Sequence, residues 1–154
     1  MSLHVEIQNT LPESDYIPAT DSIRQWADAA WDRRNDRAEM VVRITDESEI
    51  TNLNQQYRGK EGATNVLSFP MGEEDEEGIT YLGDVVICAP VVKNEASAQA
   101  KSVESHWAHM VIHGTLHLLG YDHQALEEAE VMESLEIKMM QHLGFDNPYL
   151  CEKK

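Results

Sequence analysis

The sequence predicts an α+β fold, a small four-stranded mixed sheet packed with helices, on three observations. The apolar period switches along the chain between strand-like alternation and helical spacing, in the order strand–helix–strand–helix–strand–strand–helix–helix. One stretch, Leu82 to Ala89, is apolar almost throughout, as a strand buried on both faces must be. The chain has 154 residues with no internal repeat and no long linker, which fits one domain over 1–154 around a single core.

The elements follow in order. Residues 3–8 alternate and read as a strand. Thr20 or Asp21 is placed to cap a helix through about Asp32, with Ile23, Trp26, Ala27, Ala30 and Trp31 on one face. Glu39 to Thr45 is rich in β-branched residues and reads as the second strand. Asp46 or Ser48 opens a short helix containing Ile50, Leu53 and Tyr57. Residues 58–63 hold two glycines and read as a loop, and Asn65 to Phe69 reads as a third strand stopped by Pro70. The acidic block Glu73 to Glu77 reads as a loop joining it, antiparallel, to the strand at Leu82–Ala89. A helical pattern runs from about Val91 to Leu119, and a last helix from about Leu126 to Leu143, ended by Gly144.

Composition narrows the function. Twelve Lys and Arg against 28 Asp and Glu give a net charge of −16, which disfavours a broad basic nucleic-acid face. The acidic runs at 73–77 and at Glu127, Glu128, Glu130, Glu133 and Glu136 read as solvated. No apolar run reaches the roughly 20 residues of a membrane span, and Met1 to Asn9 lacks a secretory pattern. A cytoplasmic protein without a membrane partner is the expectation. Cys88 reads as a small buried hydrophobe, Cys151 lies in a polar tail, and a disulfide between them has little support in a reducing compartment.

The chemistry concentrates at His113-Gly-Thr-Leu-His117-Leu-Leu-Gly120-Tyr-Asp-His123. Histidines four apart share one face of a helix and can reach one ion. Gly120 can stop the helix with positive φ, so the chain can turn and bring His123 to the same ion. Three imidazoles and no nearby cysteine favour a zinc ion, one per chain, with an open water position over a closed structural site. Nickel suits three imidazoles as well. The spacing matches that of metzincin proteases, but Gly114 stands where they carry a glutamate base, which disfavours a peptidase. His109 reads equally as a group behind the ligands or as a core residue, and His106 reads as solvent-facing.

The segment Ala108 to His123, together with Asn54 to Lys60, Ala63 to Pro70 and Leu82-Gly-Asp-Val85, resembles the bacterial rRNA maturation factor YbeY family over roughly residues 40–145. The resemblance implies a zinc-dependent single-strand endoribonuclease of 16S rRNA 3′-end maturation and ribosome quality control. It places the metal ligands on His113, His117 and His123 and the functionally important arginine on Arg58. Arg58 then becomes the catalytic phosphate-holding residue, since a guanidinium can hold two phosphate oxygens at once, and Lys60 a further substrate contact. Partners implied are single-stranded rRNA and ribosomal particles or ribosome-associated proteins. Asp84 either orients a ligand histidine or caps a strand end. His109, Asp122 and a zinc-bound hydroxide all remain open as general base. A metzincin-like hydrolase of unknown substrate and a non-enzymatic assembly protein with structural zinc are the alternative functions.

Overall fold

A computed structural model describes residues 2–12, 16–31, 37–121 and 125–149. Its elements are β1 (Ser2–Asn9), α1 (Thr20–Ala30), β2 (Arg37–Thr45), α2 (Glu47–Arg58), β3 (Val66–Glu74), β4 (Ile79–Cys88), α3 (Ala89–Ala98), α4 (Val103–Leu118) and α5 (Leu126–His142). The four strands form one mixed sheet in the order β1-β2-β4-β3. β1 runs parallel to β2 and β2 parallel to β4, while β3 pairs antiparallel with β4 and lies at the edge.

The position of β4 explains its composition. Val85 and Ile87 enter the main core with Ile23, Trp26 and Trp107, while Val86 and Cys88 enter a second cluster with Ile50 and Leu67. Both faces are therefore dry, and each large aliphatic residue so buried stabilises the fold by roughly 1.5–3 kcal/mol. Helix α4 packs on α1, α3, α5, β3 and β4, so the histidine-bearing element is held from several sides.

Several expected boundaries move. The helix pattern over 91–119 is two helices: the chain breaks at Ala100, which has φ 57°, and Ser102 opens α4 by accepting a hydrogen bond from the Ser105 N–H at 3.0 Å. α1 begins after Ala19, with no side-chain cap, and ends at Ala30. α2 is capped by Asp46, whose side chain accepts from the Glu49 N–H. It extends to Arg58, so that residue closes a helix and the loop starts at Gly59. Pro70 does not stop β3, which continues into Glu73 and Glu74 past an irregularity between Pro70 and Glu73. An edge strand tolerates a proline because its missing N–H can face away from the neighbour.

Candidate metal centre and substrate cavity

α4 carries His113 and His117 on one face, with ring centroids 4.7 Å apart at an interplanar angle of 78°. The helix ends at Leu118; Gly120 has φ 104°, and the Tyr121 N–H donates to the Leu116 carbonyl across the helix end. His123 and Asp122 lie outside the described residues, as does Cys151.

Behind His113 stands a carboxylate that the sequence reading assigned to a solvated face. Glu136 of α5 is fully buried. One oxygen accepts from His113 Nδ1 at 2.6 Å, and the other from His109 Nε2 at 2.8 Å and from the Tyr149 hydroxyl. Burial alone would raise its pKa, but the hydrogen bonds from His109 and His113 outweigh it and hold the carboxyl at about 2. In the neutral imidazole, an ionised Glu136 fixes the proton of His113 on Nδ1 and so leaves the ring lone pair at Nε2. His109, His113 and Glu136 bring ligand atoms within 4.8 Å of one another, a set that could hold a metal ion. The distances from His109 and His113 to Glu136 are those of hydrogen bonds, however, and the same geometry fixes the orientation of the His113 ring.

The signal for Glu136 was present in the pattern. It lies four residues after Met132 and four before Met140, both buried, so it sits on the apolar stripe of α5. His109 is buried against this carboxylate and also packs edge-on against Tyr149 at 5.2 Å. The solvent-facing expectation for His106 is overturned: it is 4% exposed and pairs with Glu95 at 2.8 Å. Among the described residues Asp84 orients no histidine; it accepts from the Tyr81 hydroxyl, and burial together with that carboxylate raises the Tyr81 pKa. Cys88 is buried as expected, and burial raises its thiol pKa.

Gly114 has a steric cause. A Cβ built there would lie 2.6 Å from Val85 Cγ1 and 3.3 Å from Ser68 Oγ, and the Ser68 hydroxyl donates to the Gly114 carbonyl at 3.1 Å. The helix is packed so tightly on β4 that the glutamate of a metzincin has no room.

In front of the histidines lies a cavity of about 680 Å³. It is lined by Arg58, Lys60, Asn65, Ser68, His113 and His117 among others, and no described residue lining it is Asp or Glu. The last turn of α2 supplies Arg58, whose Nη2 donates to the Ser68 carbonyl at 2.8 Å. That bond pins the guanidinium to the edge of β3. Arg58, Lys60, His113 and His117, chosen on sequence, thus share one cavity.

No described helix is long and apolar enough to cross a membrane. The solution structure of TM1509 from Thermotoga maritima is similar over 90% of this chain and 91% of that one, with a TM-score of 0.54 and 26% sequence identity. The family model described as endoribonuclease YbeY matches residues 6–144. With that match spanning both the cavity and the carboxylate behind it, the chain belongs to the YbeY endoribonuclease family of RNA-cleaving hydrolases.

Proposed function

We propose that the chain is a zinc-dependent single-strand endoribonuclease, and that its substrate is the 3′ end of 16S rRNA within ribosome maturation and quality control. The observation that carries the reading is the charge of the cavity. In a protein of net charge −16, the cavity before His113 and His117 presents two cations and, among the described residues, no carboxylate. Such a surface suits a phosphodiester.

His113 and His117 fit a zinc ion by the chemistry of the donors. They are imidazoles on adjacent helical turns, the first hydrogen-bonded through Nδ1 to a buried carboxylate. His123 is the third ligand on this reading. When bound, the ion supplies Lewis acidity at a phosphate oxygen. Arg58 holds the non-bridging oxygens where negative charge grows, and its bond to Ser68 aims the guanidinium before substrate arrives. Lys60 adds a point charge at the rim.

The test is metal analysis of the purified protein together with cleavage of single-stranded RNA. One zinc per chain, and loss of cutting in His113→Ala and in Arg58→Glu without loss of fold, is the expected result. Cutting retained by both folded variants would sink the reading. The same net charge predicts slow encounter with naked RNA, so ribosomal particles should be cut more efficiently than naked RNA; equal rates would remove the need for a positioning partner.

A further inference from the structure

The cavity runs along the free edge of β3, and the backbone of that edge has a defined hydrogen-bonding polarity. The Cys88 N–H donates to the Asn65 carbonyl at 3.0 Å, and the register pairs Val66 with Ile87, Leu67 with Val86 and Ser68 with Val85. In an antiparallel ladder the hydrogen-bonded pairs alternate. Asn65, Leu67 and Phe69 therefore point their polar groups at β4, and Val66, Ser68 and Pro70 point theirs outward. Two independent facts agree with this phase. The Ser68 carbonyl is the one Arg58 reaches from outside, and the one proline of the strand sits at an outward position.

The edge facing the cavity thus reads donor, acceptor, donor: the Val66 N–H, the Val66 carbonyl and the Ser68 N–H, followed by the Ser68 carbonyl with Arg58 on it. The two N–H groups stand two strand residues apart, about 6.7 Å. A ribonucleotide strand offers the complementary order along its backbone: phosphate oxygens accept, the ribose 2′-hydroxyl donates, and the next phosphate accepts. DNA lacks the middle group.

We propose that the outer edge of β3 at Val66 and Ser68 is a ribose-phosphate subsite that binds single-stranded RNA in preference to DNA. The two N–H groups hold successive phosphates, and the Val66 carbonyl accepts from the 2′-hydroxyl between them. The inference rests on the endoribonuclease reading and deepens it, since it locates where RNA is distinguished from DNA. A bare strand edge also invites an extended peptide. The cavity's cations and, among its described residues, lack of carboxylates favour the polyanion.

The experiment uses the full chain, with chelator present so that no strand is cut, and reads binding of a short labelled oligonucleotide by anisotropy. A single 2′-deoxy substitution is walked along the RNA. One position should weaken binding about three- to tenfold while its neighbours have little effect, as expected for one lost hydrogen bond. Val66→Pro deletes an outward N–H at an edge position; it should stay folded and weaken RNA binding about tenfold. Replacing Ser68 by its α-hydroxy acid removes the second N–H with the side chain kept, and is the check if Val66→Pro does not fold. A flat deoxy scan, or unchanged RNA binding in a folded edge variant, overturns the proposal; if Arg58→Ala still abolishes binding, the endoribonuclease reading survives that failure. Wild-type protein that binds no RNA overturns both. Tight binding of a strand-forming peptide that displaces RNA would reassign the edge to peptide and overturn the subsite.

Discussion

Replacing Glu136 by glutamine keeps the shape of the side chain and changes one atom from acceptor to donor. In the wild type both carboxylate oxygens accept: one from His113 Nδ1, the other from His109 Nε2 and Tyr149. Glutamine can satisfy His109 and Tyr149 with its carbonyl oxygen, but its amide then donates to His113 Nδ1. That pushes the His113 proton to Nε2, the nitrogen that would ligate on the proposed reading. The opposite amide orientation rescues His113 but forces the proton of His109 onto Nδ1. That atom is buried without a partner, and an unpaired buried donor costs about 1–3 kcal/mol. Binding a metal to the variant must overcome this difference, which corresponds to roughly 10–100-fold weaker affinity. The assay is zinc affinity by competition with a chromophoric chelator, read beside a thermal melt to show that the fold persists. A folded Glu136→Gln protein with wild-type zinc affinity would refute both the tautomer argument and the placement of the ion on the far side of His113.

Two further predictions concern packing and charge. Gly114→Ala gains about 1 kcal/mol of helix propensity, but its Cβ would meet the stiff Val85 at 2.6 Å on the central strand, and overpacking costs about 1–3 kcal/mol. The expected net loss of up to about 2 kcal/mol lowers Tm by up to about 8 °C; a variant more stable than the parent would show that α4 can move off the sheet. With Arg58 and Lys60 as the cations of the cavity, log affinity for single-stranded RNA should fall with log salt at a slope of about −1.4. A slope steeper than about −3 would demand phosphate contacts elsewhere on the surface.

What the sequence disclosed and what it hid follow from the range of the interactions. Strand β4 and helix α1 were readable because burial on two faces or on one leaves a period in the apolar residues themselves. The pair His113 and His117 was readable because helical spacing alone brings them together. The break at Ala100 was not, because alanine favours a helix and carries no mark of positive φ. Pro70 misled because its tolerance depends on β3 lying at an edge, and strand order does not show in local sequence. Glu136 and Tyr149 join His109 and His113 through contacts between α4, α5 and the segment after it. Glu136 was masked further by its acidic neighbours on α5, although its place between Met132 and Met140 marked it as inward-facing. Arg58, expected in a loop, instead closes α2. Its helix end and its bond to Ser68 give it a fixed direction that a loop would lack.

The location of the negative charge links these features. A carboxylate behind His113 would support the metal-ligating role proposed for it, but in front of it the same charge opposes a phosphodiester. Two unit charges 4 Å apart at an effective dielectric of 20 interact by about 4 kcal/mol. A carboxylate among the cavity walls would therefore weaken phosphate binding by several hundredfold. Glu136 delivers its charge to His113 through Nδ1 from inside the core, where α4 and α5 screen it from the cavity. Position 114, where a metzincin carries its glutamate, has no room for that side chain because Val85 crowds it. The tight packing of α4 on β4 thus keeps the cavity cationic as well as holding the histidines in place. On the proposed reading, a protein with 28 carboxylates can receive a polyanion in this cavity because none of the described ones line it.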